Sequence, residues 1–337
     1  MPDGNPVLIE ITRGPLVESR HRGAAAVVDS AGAVRAAWGD VQAPVFPRSA
    51  IKPLQALPLV ESGAADALAL TAVELALACA SHAGEPRHVQ AVAAWLRRLG
   101  LGAGDLVCGA HPPLGEAAAA ELLRRGEAPG RLHNNCSGKH AGFLSLACHL
   151  GAPVRGYAEV QHPVQRLVLT AVAEMAGIEP STAPVATDGC GVPVMALPLV
   201  AMARAFALLA CPQRLPPRRG AAVERLYAAM VAHPGLVGGS GRFDTLLIEA
   251  AGGSLIVKSG AEGVVCAAVP EAGLGLALKV DDGGKRPAEA AMAALLLRFG
   301  RPDARLGETL RMLAAPAVHN TLGEPVGAVR AAAGWLA

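Results

Sequence analysis

Apolar and polar positions alternate near the start of the chain, take up a longer period through its middle, and alternate again towards its end. The first fifty residues predict strands at Val7–Thr12, Ala24–Asp29 and Ala33–Trp38, the last two joined by a turn at Ser30, Ala31 and Gly32. From Ser49 to about Ala232 apolar residues recur at helical intervals, with stretches at Ala72–Ala80, Arg87–Leu99, Glu116–Arg125, Val164–Ala176 and Ala221–Ala232. Strand character returns at Thr245–Glu249, Ser254–Lys258, Gly263–Val269 and Leu274–Val280, followed by a helix at Pro287–Phe299. Strands from both ends around a helical middle predict a mixed α/β (α+β) architecture. Its antiparallel sheet is assembled from the two chain ends and flanked by helices, with a mostly helical subdomain beside it. The expected organisation is a single domain over residues 1–337, with a sheet subdomain of about 1–50 plus 240–337 and a helical subdomain of about 51–239.

Composition narrows the partners. Among 337 residues, 52% are hydrophobic and 3% aromatic, and 30 basic residues face 28 acidic ones. A net charge of +2 gives no sustained basic field and the few aromatic rings offer little to stack on, so nucleic acid is excluded as a partner. The longest apolar stretch, Val192–Pro212, is interrupted by Pro193, Pro198 and Arg204 and reads as a loop plus an amphipathic helix; no membrane partner is expected. No basic segment precedes an apolar run at the start, so the expected location is cytoplasmic. Seven cysteines, an odd number without framework spacing, are expected to be thiols or metal ligands in a reducing compartment.

Only five of the 30 basic residues are lysines, Lys52, Lys139, Lys258, Lys279 and Lys285. Where Arg is the default cation, a retained Lys can mark a position that needs a compact amine able to lose its proton. Lys279 and Lys285 lie beside Asp281 and Asp282 in a Gly-rich turn and read as retained by chance. The other three keep more reactive company.

Ser49 and Lys52 form an S-x-x-K in Pro47-Arg48-Ser49-Ala50-Ile51-Lys52-Pro53, a spacing that brings hydroxyl and amine to one face of a helical turn. A serine hydroxyl is a weak nucleophile alone, and a lysine of depressed pKa can take its proton. Ile256-Val257-Lys258-Ser259-Gly260 matches K-[ST]-G at the end of a predicted strand, and Ser81, after a predicted helix at a Gly-containing break, can supply the middle element. Serine hydrolases of the penicillin-binding and β-lactamase type combine three such motifs in that order. A third cluster, His133-Asn134-Asn135-Cys136-Ser137-Gly138-Lys139-His140, opens a helix running through Ala141 to Leu150. Cys136 and Cys190 could form a soft ligand pair for zinc, with His140, His133 or Asp188 completing a tetrahedral site, or could be buried structural thiols. His111, His149, His162 and His319 lie outside these clusters and are expected to be core or surface residues.

These blocks resemble the rhizobial-type, or class 3, L-asparaginases, also called the asparaginase II family. The likeness covers nearly the whole chain and rests on Pro47–Gln55, Ser81–Glu85, Asn134–Phe143, Thr187–Pro193 and Gly238–Phe243. It implies a fold similar to serine β-lactamases and glutaminases, a homodimer, and hydrolysis of L-asparagine to L-aspartate and ammonia. Carried onto matching positions, it implies two Ser-Lys pairs, Ser49 with Lys52 and Ser81 with Lys258, with Ser49 the nucleophile on its S-x-x-K segment. It also implies a zinc ion held by Cys136, Lys139 and Cys190 plus water, replacing a His ligand with a Lys that must be neutral. Arg48, Asn135 and Asp188 would then line the pocket, Arg48 for the substrate carboxylate and Asp188 for its ammonium. A glutaminase or another Ser-Lys acyl hydrolase, and a non-enzymatic zinc-binding module, are the alternative readings.

Overall fold

The computed structural model describes residues 4–336. Two compact units divide them: residues up to Ala50, Leu197–Cys211 and those from Ala250 on form one, while Ile51–Ala196 and Pro212–Glu249 form the other.

The first unit is built on an antiparallel sheet of eight strands. Its order runs Ala317–His319, Pro325–Ala331, Val7–Arg13, Leu16–Asp29, Leu274–Val280, Val264–Val269 and Ile256–Ser259, with Val34–Trp38 paired to Leu16–Asp29. The sheet is therefore assembled from both chain ends, as the alternating pattern requires. Leu274–Val280 appears with its expected bounds, and Leu16–Asp29 is longer than expected because its first half pairs with Val7–Arg13 and its second with Leu274–Val280. All six residues of Val264–Val269 are buried, which a strand of alternating side chains achieves only with both faces covered. Leu199–Ala210 and Lys285–Phe299 supply that cover, each packing on Val264–Val269 and Leu274–Val280.

Leu199–Ala210 corrects the expectation of an amphipathic helix in the middle region. Nine of its twelve residues are buried, and it belongs to the sheet unit. Gly275 explains how it lies so close: a Cβ there would stand 2.0 Å from the Ala203 carbonyl oxygen.

The second unit is helical and centred on Ser137–His149, whose residues from Ser137 to Ala147 are all buried. Leu57–Glu61, Ala72–Ala78, Pro86–Arg98 and Pro163–Ala176 pack around it. A helix enclosed on every side is normally apolar all round. Here the first turn instead carries buried Ser137, Lys139 and His140, so its polar groups need partners within the unit.

Thr245–Glu249, expected as a strand, lies inside a helix, Phe243–Ala251. Phe243, Leu247, Ile248 and Ala251 are buried while Leu246 and Glu249 are exposed, a helical rather than a two-residue period. Two strands near the end, Ala317–His319 and Pro325–Ala331, and the helix Ala304–Ala314 were not expected. Among the described residues no helix is long and apolar enough to cross a membrane.

Candidate active site

Arg48, Ser49 and Lys258 belong to the sheet unit. Arg48–Ile51 is a single 3-10 turn, and Arg48 has φ +52°, left-handed backbone that a residue with a Cβ adopts at a cost of about 1 kcal/mol. That strain turns the chain sharply just before Ser49. The turn is seated on the K-S-G strand end: a Cβ on Gly260 would lie 2.7 Å from the Pro47 carbonyl oxygen and 3.1 Å from the Ala50 nitrogen, so only glycine allows the approach. Lys258 is buried, and its Nζ donates to the Ser259 carbonyl at 3.0 Å. Ser49 is half-buried, and its hydroxyl has no hydrogen-bond partner among the described residues.

Lys52, Ser81, Asn135, Cys136, Lys139, Asp188 and Cys190 belong to the helical unit, where side-chain hydrogen bonds connect them densely. Lys52, fully buried, donates from Nζ to the Ala80 carbonyl at 2.6 Å and to the Asn135 carbonyl at 3.4 Å. Asn135 meets Ser81 as well, its Nδ2 donating to Ser81 Oγ at 2.8 Å. The Ser81 backbone is fixed by its N–H on the Val237 carbonyl at 3.0 Å, and His82 follows with its N–H on the Asn135 carbonyl at 3.1 Å.

The neighbouring histidines are structural and neutral. His82 Nδ1 accepts from the Gly84 N–H, so Nε2 donates to Ser137 Oγ at 2.9 Å, which donates in turn to the Leu132 carbonyl. Its ring stacks on His88 with centroids 4.8 Å apart. Burial drives the His82 pKa well below its ordinary value, and the nearby His88 ring and Lys52 act in the same direction. His140, likewise depressed first by burial, accepts at Nδ1 from the Tyr157 hydroxyl at 2.6 Å.

Cys136, Lys139 and Cys190 are brought together. Asn134 holds the entry to the central helix by accepting the Cys136 N–H at 2.9 Å, and a tight loop from Asp188 to Val192, closed by the Asp188 N–H on the Val192 carbonyl at 2.8 Å, presents Cys190. The Val185–Thr187 and Pro193–Met195 hairpin carries that loop. Lys139 Nζ donates to Cys190 Sγ at 3.2 Å, and Asp188 Oδ2 lies 3.7 Å from the same sulfur. The hydrogen bond from Cys190 holds Cys136 well below the usual thiol range against the opposing effect of burial, aided by the Lys52 and Lys139 charges, while that pairing and burial push Cys190 up. Burial disfavours the Lys139 ammonium, but Cys190, Cys136 and Asp188 together outweigh it and raise its pKa.

Two buried sulfurs and a buried amine brought together are a donor set that suits zinc. Among the described residues no group of three or more His, Cys, Asp or Glu side chains is placed to hold a metal, so a site here depends on Lys139 as third ligand. His140 Nδ1 is engaged by Tyr157 while its Nε2 is buried without a hydrogen-bond partner among the described residues, and His133 Nδ1 accepts the Gly130 N–H at 3.0 Å.

The family model for L-asparaginase II matches residues 9–331. The chain belongs to the L-asparaginase II family. Among individual proteins of assigned function, none matches it significantly. Solved structures similar to this family member include a β-lactamase from Mycobacterium bovis, 18% identical over 82% of this chain and 95% of that one, with a TM-score of 0.41. Another is unliganded simvastatin synthase from Aspergillus terreus, 12% identical over 86% and 94%, with a TM-score of 0.40. Family membership places the protein among amidohydrolases.

Several residues of this asparaginase II family member were missed from sequence. Asn134 and Tyr157 tie down the surroundings of Cys136 and His140 through hydrogen bonds that no spacing announces. His111, expected as an ordinary core or surface residue, touches Asn135. The only signal for it was a histidine preceding Pro112-Pro113 in a loop.

Proposed function

We propose that the protein hydrolyses the side-chain amide of L-asparagine to L-aspartate and ammonia through an acyl-enzyme on Ser49. The observation that carries this reading is the uncommitted Ser49 hydroxyl on an S-x-x-K turn in a chain of the L-asparaginase II family. Lys52, three residues on, takes the Ser49 proton as Oγ attacks the amide carbon, and the new C–O bond replaces the C–N bond as ammonia leaves with a proton. Water then attacks the ester, giving aspartate and restoring the Ser49 hydroxyl. Backbone N–H groups near Ser49 and the Lys258 strand hold the oxyanion, each such donor typically lowering the barrier by roughly 3 kcal/mol. Ser81 and Lys258 serve as the second Ser-Lys pair, relaying protons during ammonia departure. Arg48 pairs with the substrate α-carboxylate, Asp188 with its ammonium, and the Asn135 carboxamide borders the same substrate.

Cys136, Cys190 and Lys139 would hold zinc, with Lys139 losing its proton to become a ligand. Held by these three side chains, zinc would supply fixed positive charge and tune affinity rather than activate water. The reading is tested by ammonia release from L-asparagine and, separately, L-glutamine. Release from asparagine at the higher kcat/KM is expected; no release from either amide by folded protein would overturn the proposal. The comparison matters because one methylene is worth only about 1–3 kcal/mol of discrimination.

A further inference from the structure

Asn135 is the point at which the surroundings of Lys52 and Ser81 meet. Its carbonyl accepts from Lys52 Nζ and the His82 N–H, and its Nδ2 donates to Ser81 Oγ. Its remaining backbone group, the N–H, donates to His111 Nε2 at 3.1 Å. His111 Nδ1 lies 2.6 Å from the Pro112 carbonyl oxygen, which can only accept, so the ring proton sits on Nδ1 and Nε2 keeps its lone pair for Asn135. In that tautomer the 3.3 Å approach of Nε2 to Asn135 Oδ1 is a contact between two acceptors and adds no bond. His111 therefore holds the Asn135 backbone rather than its carboxamide.

We infer that His111 is a positioning residue: clamped by its own neighbour's carbonyl, it fixes the Asn135 backbone and through it both the Lys52 amine and the Ser81 hydroxyl. Lys52 and Ser81 sit on separate segments, and Asn135 hydrogen-bonds to both. A shift at Asn135 moves two proton-handling groups together, whereas loss of either group alone moves one. His111 is half-buried at the rim of its unit, so its removal leaves the enclosed core intact. The inference rests on the amidohydrolase reading for its kinetic consequence, but not for its geometric one.

The test uses the full-length protein with His111→Ala and His111→Gln. A Gln Oε1 can take the place of Nε2 and accept the same N–H, but it cannot titrate or stack like imidazole. His111→Ala is expected to lower kcat for asparagine roughly tenfold to hundredfold while KM changes less than about threefold, because orientation of the reacting groups is what is lost. His111→Gln is expected to recover kcat to within about threefold of the native value, which a merely structural histidine would not show. In parallel, amide exchange at Asn135 should quicken in His111→Ala and not in His111→Gln, and the 15N shifts of the native ring should report an Nδ1-protonated tautomer. Native kcat in His111→Ala, or a glutamine variant as slow as the alanine one, overturns the inference while leaving asparagine hydrolysis standing. If the native protein releases no ammonia, the function reading fails by itself. Asn135 exchange then decides the positioning claim, and unchanged protection in His111→Ala overturns it.

Discussion

Ser49 and Ser81 are held in different ways. Ser49 sits on a strained backbone turn, packed against Gly260 through main-chain atoms, with its hydroxyl uncommitted. Ser81 is buried, its N–H fixed on Val237 and its hydroxyl already accepting from Asn135. A lone pair engaged by an amide donor is less available for attack, and the same bond makes the hydroxyl a better proton donor. The contrast is one of support: backbone geometry presents the Ser49 hydroxyl, a side-chain network holds that of Ser81, and under the proposed function the first attacks while the second handles protons.

The sharpest way to break that comparison is to remove each hydroxyl. Ser49→Ala should lower kcat by at least about 10⁴-fold with no change in thermal midpoint, since nothing among the described residues hydrogen-bonds to its Oγ. Ser81→Ala should lose less, about 10²-fold, the usual range for a positioned proton donor. Equal losses, or a reversed order measured by steady-state kinetics, would erase the distinction.

Gly260→Ala tests the backbone side of the contrast. The added methyl meets the Pro47 carbonyl and the Ala50 nitrogen, so the turn must move by a few tenths of an ångström or more. A loss of kcat of roughly tenfold to hundredfold is expected, with bound metal unchanged. A fully active variant would mean that the placement of the Ser49 turn is unimportant.

Treating the protein with a chelator addresses the side-chain network and the zinc proposed for it. If the metal tunes affinity, kcat should fall less than about tenfold, because Cys and Lys ligands are unlike the usual His-rich catalytic sets. Lys139→Met should abolish stoichiometric zinc, read by elemental analysis, while the fold persists. Complete inactivity restored only by zinc would assign the metal a direct part in the reaction.

The smallest effect expected is on acid stability. His82 and His140 are buried and neutral, with pKa values well below 6.5, so the unfolded chain binds protons that the folded one does not. Their contribution to stability is full above pH 6.5 and is lost progressively as the pH falls towards their folded-state values. Thermal midpoints should drop on acidification from about pH 7 to about pH 5, and His82→Gln should flatten that slope. An unchanged slope in the variant would remove His82 from the account.

Much of this was legible in the sequence where chemistry and period coincide. Leu274–Val280 alternates cleanly and pairs on both edges, so pattern and structure agree. Thr245–Glu249 misled because a short apolar run headed by a β-branched Thr satisfies strand and helix alike; only the burial of Phe243, Leu247, Ile248 and Ala251 decides it. Pro325 and Gly327 dilute the strand signal of the last sheet element, which is why it went unread. Cys136 and Cys190 stood out as soft donors and Lys139 entered as a ligand only through the family resemblance; the structure brings the three side chains together. His111 was not, because its contact is to a backbone N–H 24 residues along the chain, and a backbone donor carries no residue type to recognise.

The account's central claim, that Ser49 and not Ser81 attacks, is tested most directly by quenching the protein in acid during turnover of L-asparagine and locating the covalent adduct by peptide mass spectrometry. An aspartyl ester on the peptide holding Ser49, absent from Ser49→Ala and still formed by Ser81→Ala, is the predicted result. An adduct on the peptide holding Ser81 would contradict it.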